Sequence, residues 1–226
     1  MYDYNEITEL IKKELKPDDT FEFQCNQCGK CCKNREDILL TPYDIYRASR
    51  YLNLETKDFF DKYCETFLGH TSKLPVVRLR PKYHEKACPL LSSNGACKVH
   101  SAKPVVCALF PLGRVAPNAN DKIHYLLQEI RCGSKGKRYT VKEWLAGYNI
   151  PESEKSMHLW TDIIVYMSLL IDKKLKNLSE RVMTLVYNAF FNALYISYNI
   201  HDEFMPQFEK RVCEFKKIMQ KTSKMI

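Results

Sequence analysis

The residues of this chain with a readable chemistry are its cysteines. Eight of the ten fall between Cys25 and Cys132, opening with Cys25-Asn26-Gln27-Cys28-Gly29-Lys30-Cys31-Cys32 and continuing with Cys88, Cys97, Cys107 and Cys132. A thiolate is a soft, anionic donor, so a site made of thiolates selects zinc or an iron–sulfur cluster. Calcium or magnesium would want convergent carboxylates and carbonyls, which do not accompany these cysteines. His100 could replace a thiolate, and a lone surface histidine is its plainer reading.

The C-x2-C-x2-C portion matches the first three positions of the bacterial ferredoxin run, whose loop wraps three corners of a [4Fe–4S] cube. Arg35 and Glu36 stand where that run has Cys-Pro, and Cys32 directly follows Cys31. Adjacent side chains of an extended segment point in opposite directions, so without a tight turn these two cannot ligate one metal atom. One of them must then reach a second metal, a partner among Cys88–Cys132, or an inert buried place. Gly29 would allow a tight turn, and Pro89 and Pro104 restrict the backbone beside their cysteines.

The elements that must position these thiols are read from periodicity and capping. Ile7, Leu10, Ile11 and Leu15 predict a helix over 3–15, ended by Pro17. Thr41-Pro42-Tyr43-Asp44 has the form of a capping box with proline at the first helical position, predicting a helix to Leu52. A further helix is expected over 56–68, ending at Gly69, with Phe59, Phe60, Tyr63, Cys64 and Phe67 as its apolar stripe and Cys64 a packed core thiol. Residues 74–80 and 123–130 read as strands of a short antiparallel sheet, with Pro75 confining the first to an edge or delaying its pairing. Arg131–Lys137 closes the second cysteine group in a turn containing Gly133 and Gly136.

From Thr140 the texture becomes helical. Thr140-Val141-Lys142-Glu143 is a second capping box, before a short helix around Trp144, and helices are expected at 152–173, 178–198 and 205–222. Leu159, Ile163, Tyr166, Met167 and Leu170, then Val182, Val186, Phe190, Ala193 and Leu194, read as core faces of a bundle. Cys213 has no cysteine at ligand spacing and is left out of the site. The expected fold is mainly α (α+β): a cysteine-rich metal-binding domain over 1–139 with short antiparallel strands, and a helical extension over 140–226.

Composition narrows the function classes. With 226 residues and 45% hydrophobic content, the chain can bury an ordinary core, so the cysteines are not required by small size. Met1–Glu6 lacks the basic and apolar character of a secretory signal, and no segment offers about 18 uninterrupted apolar residues. The expected setting is the reducing cytoplasm, where dense cysteines point to metal or redox chemistry and not to disulfides. The net charge is +8, but Lys210, Arg211, Lys216 and Lys217 alternate with Glu209 and Glu214 as on a solvated helical face, which argues against nucleic-acid binding. A protein partner is compatible with the helical extension, and the oligomeric state is not encoded in any pattern seen here.

Taken together, Cys25-x2-Cys28-Gly29-x-Cys31-Cys32, Cys88-Pro89-x-Leu91, Gly95-x-Cys97-x-Val99-His100, Lys103-Pro104-x2-Cys107-x2-Phe110-Pro111 and Cys132-Gly133-x2-Gly136 resemble the YkgJ or CxxCxxCC cysteine-cluster family. Its domain is described as chelating zinc or iron, and the likeness spans residues 25–137. Two departures are Lys103, where the family more often has Arg before Pro, and Ala108, where Arg often follows the cysteine. The resemblance implies metal held by Cys25, Cys28, Cys31, Cys32, Cys88, Cys97, Cys107 and Cys132. An iron–sulfur cluster of the [4Fe–4S] type is the leading expectation, structural or redox-active, with Zn2+ in a protein-interaction module as the alternative. The related flagellin lysine N-methylases carry a similar cluster, so protein modification is a further implied activity, although no glycine-rich nucleotide fingerprint or catalytic residue is evident.

Overall fold

The computed structural model describes residues 4–83, 86–116 and 121–225, apart from the side chains of 4, 5, 7 and 223–225. Residue 3 of the expected first helix and the Ile7 side chain therefore lie outside what is described. In chain order the elements are α1 (Tyr4–Ile11), β1 (Thr20–Gln24), β2 (Leu39–Leu40), α2 (Pro42–Leu52), α3 (Thr56–Tyr63), β3 (Cys64–Leu68), β4 (Pro75–Leu79), α4 (Val105–Leu109), β5 (Leu112–Val115) and β6 (His124–Leu127). They continue with β7 (Ser134–Thr140), α5 (Val141–Gly147), α6 (Ile150–Leu170), α7 (Glu180–Leu194) and α8 (Phe204–Met225). Helices dominate and all the strand pairings among the described residues are antiparallel, as expected of a mainly α (α+β) chain. No helix among the described residues is long and apolar enough to cross a membrane.

The chain divides into two compact units, Met1–Glu36 with Pro81–His158, and Asp37–Arg80 with Leu159–Ile226. This division by contact differs from the boundary at 139/140, which rested on composition. All eight candidate cysteines fall in the first unit, and Cys64 and Cys213 in the second.

In the first unit β1 pairs with β7 in the register Phe21↔Tyr139 and Gln24↔Ser134, with an irregularity between Glu22 and Gln24. β5 pairs with β6. Phe21, Phe23, Leu112, Val141 and Trp144 form its aromatic core, against which the partly buried Cys25 packs. The second capping box is present: Thr140 Oγ1 accepts the Glu143 N–H at 3.1 Å, and the Thr140 N–H donates to Glu143 Oε2 at 2.8 Å. α1 ends at Ile11, short of 15, because Leu15 leaves the helix to donate its N–H to the Tyr125 carbonyl at 2.8 Å. The segment read as a turn after Cys132 is in large part β7, held straight by its pairing with β1.

In the second unit Thr41 and Asp44 form the predicted capping box at the start of α2. The helix expected over 56–68 stops at Tyr63, and Cys64–Leu68 continues as a strand. Tertiary pairing overrides the helical period here: Cys64 through Leu68 pair residue by residue with Leu79 through Pro75. Phe67 consequently faces out, 42% exposed, while Cys64 is buried as expected. Pro75 does not mark an edge, since β4 is the central strand of β2-β4-β3 and proline sits at its first residue, where a missing N–H is tolerated. Residues 74–80 and 123–130 supply strands to two separate sheets, not one. The helical stripes bury Ile163, Met167, Val186, Phe190 and Leu194, but Val182 is exposed.

Tyr195 and Tyr198 are buried in this second core, where desolvation pushes both phenols above their ordinary value near 10. Tyr198 donates its hydroxyl to the Leu194 carbonyl at 2.6 Å. Because the folded acid ionises later than the unfolded one, this stabilisation is complete below the unfolded pKa and is lost progressively as pH rises from there through the higher folded one. Denaturant midpoints followed by tyrosine fluorescence should therefore fall between about pH 9 and pH 11; a flat or rising midpoint across that window contradicts the burial argument.

Candidate metal centre

The first thiol loop is mounted directly on β1. Cys25 follows its last residue, and the pairing of Gln24 with Ser134 sets the neighbouring Cys132 beside it. Gly29 has φ 68°, and a Cβ there would stand 2.9 Å from the Gly95 carbonyl oxygen, so the first loop lies against the Gly95 turn that precedes Cys97. Gly133 has φ 78°, and a Cβ would come within 2.5 Å of the Gln24 carbonyl oxygen. Lys30–Cys32 forms one turn of 3-10 helix in which the Cys32 N–H donates to the Gly29 carbonyl at 3.0 Å. The Cys88 N–H donates to the Cys32 carbonyl at 2.8 Å, fastening the second thiol group to the first. Cys97 bridges to Leu91, and Cys107 lies in α4 with its N–H on the Pro104 carbonyl at 2.9 Å.

That 3-10 turn is the tight turn that the adjacent pair requires, and it brings the two sulfurs together. The Cys31 and Cys32 sulfurs are 3.9 Å apart and hydrogen-bonded, either being able to donate. Cys32 also interacts with Cys88, and Cys31 with Cys132. Electrostatic coupling extends the group: Cys97 to Cys31 and Cys25, Cys107 to Cys32 and Cys31, and Cys132 to Cys28 and Cys25. Each of the eight thiols thus interacts with at least one other. Cys64 is buried in the second unit, and Cys213 is exposed on α8.

The site treats its thiols unequally. The Cys32 bond raises Cys31, with desolvation adding to it. Cys32 is eased down by Cys31, but the interaction with Cys88 and desolvation outweigh this and push it up to about 12. Desolvation pushes Cys107 up to about 12 and Cys132 up to about 11. Cys88 is lowered, chiefly by its interaction with Cys32, and Cys28 is lowered by the backbone N–H groups of Lys30 and Gly133 donating to its sulfur. A metal cation reverses the cost of ionising such thiols by coordinating the thiolate, and its binding releases their protons.

Two cations that the spacing of cysteines did not single out complete this surrounding. Lys103 is only 8% exposed. Its ammonium lies 4.5 Å from the centre of the Tyr148 ring and acts electrostatically on Cys31, Cys97 and Cys107. Arg35 acts on Cys107. Both supply positive charge where thiolates would gather; burial of a lysine is the signal, and only the fold displays it. His100 is not the freely solvated side chain expected of a lone histidine. Its Nε2 is buried with no hydrogen-bond partner among the described residues, and burial followed by the Lys103 charge lowers its pKa.

All ten cysteines are free thiols. Among the described residues no three or more His, Cys, Asp or Glu side chains stand in the geometry of a metal site. The donor set nevertheless fits thiophilic metal. Two thiolates about 2.3 Å from a tetrahedral zinc are about 3.8 Å apart, close to the 3.9 Å between Cys31 and Cys32.

The fold gathers the eight thiols into one α+β unit. Residues 24–132 match the CxxCxxCC family model, described as a "Putative zinc- or iron-chelating domain". No curated protein and no solved structure matches the chain.

Proposed function

We propose that Cys25, Cys28, Cys31, Cys32, Cys88, Cys97, Cys107 and Cys132, or most of them, serve an iron–sulfur centre of the [4Fe–4S] type with a structural or redox role: each cluster takes four thiolates, so the eight complete two clusters, or one with four thiols to spare. The observation that carries this reading is the Cys31–Cys32 sulfur contact together with the Cys88 N–H bond to the Cys32 carbonyl, which join segments more than fifty residues apart in sequence, with Cys132 interacting with Cys31. Such a cluster supplies one-electron redox capacity when bound. The chain's own residues supply the rest: the Lys30 and Gly133 N–H groups hold negative charge at Cys28, and Lys103 and Arg35 offset charge on the buried thiols. Hydrogen bonds to ligand sulfurs and nearby charge are levers on cluster potential.

A second reading, zinc in a protein-interaction module, is favoured by the 3.9 Å Cys31–Cys32 separation alone. Anaerobic purification followed by iron, zinc and acid-labile sulfide analysis separates the two. Coloured protein with iron and sulfide, absorbing in the sulfur-to-iron charge-transfer region, is expected. Colourless protein carrying stoichiometric zinc without iron or sulfide sinks the cluster reading and leaves the zinc one.

A further inference from the structure

A cleft of about 690 Å³ opens beside Cys132, within the range of small-molecule pockets. Its walls carry four cations, Lys30, Arg131, Lys135 and Arg138, and two exposed apolar side chains, Leu127 and Ile130. Arg138 is paired with Glu22 at 2.9 Å and Arg131 with Glu129 at 2.5 Å, each arginine more than two-thirds exposed. Exposed pairs of this kind are weak and exchange readily for a better anion. Lys30 and Lys135 have no carboxylate partner among the described residues, so the cleft has a surplus of positive charge.

We propose that this cleft binds a small phosphate ester, its phosphoryl group among Lys30, Lys135 and the two guanidinium groups and its apolar part against Leu127 and Ile130. A phosphoryl dianion has three equivalent oxygens, which suits cations on several walls and bidentate arginine contact better than a single carboxylate does. The apolar pair would stay exposed under inorganic phosphate and is covered by an ester substituent, a gain that scales with the area removed from water. Lys30 lies between Cys28 and Cys31, and Cys132 forms part of the wall, so the bound ester rests against the thiol group. The site is built from cations and apolar surface of the folded chain, and its occupancy does not depend on which metal the thiols hold.

The test is isothermal titration of the protein, metallated as isolated, with phenyl phosphate and with inorganic phosphate, at low and at high salt. Phenyl phosphate should bind more tightly than inorganic phosphate, and added salt should weaken both. Lys135→Glu should weaken both at least about tenfold, while Leu127→Asn should remove the advantage of the phenyl group and leave inorganic phosphate unchanged. Metal content, measured on each variant, should not move, which separates failure here from failure of the cluster reading. Absence of saturable binding at millimolar phenyl phosphate, or affinity unchanged in Lys135→Glu, overturns the proposal. So does tighter binding of a short single-stranded oligonucleotide than of phenyl phosphate, which would make the cleft a nucleic-acid surface.

Discussion

Cys32→Ser should strip the metal from the protein, while Cys213→Ser should leave it fully loaded. The Cys32 sulfur lies 3.9 Å from that of Cys31, and its carbonyl accepts the Cys88 N–H at 2.8 Å, so it stands where the two thiol groups meet. A hydroxyl keeps much of the shape and loses the soft, anionic donor. The loss of a ligand should exceed the 10–100-fold drop in affinity typical of losing an outer-shell partner. It should also destabilise the first unit, because metal held by distant segments contributes its binding energy to folding, about 10–16 kcal/mol for whole zinc-finger peptides. Cys213 is exposed, and its replacement should change stability by about 0.5 kcal/mol or less. Cys64→Ser should keep the metal but lose about 0.5–3 kcal/mol, since it sets a hydroxyl in a buried thiol's place. Metal analysis and chemical denaturation of the three variants check these outcomes; retention of full metal by Cys32→Ser would remove that residue from the ligand set.

Trp144→Ala should cost about 3–5 kcal/mol, the range of large-to-small aromatic truncations in cores. Trp144 is 5% exposed and packs its ring edge-on against Phe21, Phe23, Tyr139 and Tyr148 at centroid distances of 5.0–5.7 Å. Its Nε1–H donates to the Leu109 carbonyl at 3.0 Å, a buried acceptor the variant would leave unsatisfied. The consequence reaches the thiols by two routes. Cys25 packs on the same cluster, and Tyr148 lies under the Lys103 ammonium. Metal content should therefore fall together with the denaturant midpoint of the first unit. An unfolding free energy within about 1 kcal/mol of the parent would mean that the core is less central than its burial indicates.

The sequence by itself determined the features that depend on local chemistry. Thr41 with Asp44 and Thr140 with Glu143 cap helices because side chain and backbone lie three residues apart on the chain, and both boxes form. The clustering of Cys25, Cys28, Cys31 and Cys32 is visible in the sequence, and Cys64 was legible as a core thiol from its apolar neighbours. Tertiary structure decided whatever depends on partners distant along the chain. Cys64–Leu68 satisfies a helical period, yet becomes a strand because β4 offers it a full row of backbone hydrogen bonds. Pro75 enters a central strand because only its first position is used. The 3-10 turn that brings Cys31 and Cys32 to 3.9 Å follows Gly29 pressed against Gly95, an approach between loops that no local pattern encodes. Lys103 reads in the sequence as one lysine among many, and only its burial over Tyr148 turns it toward the thiols. Capping and donor chemistry act over a few bonds and are written in neighbouring residues, whereas pairing, burial and charge compensation are set by which surfaces meet once the chain has folded.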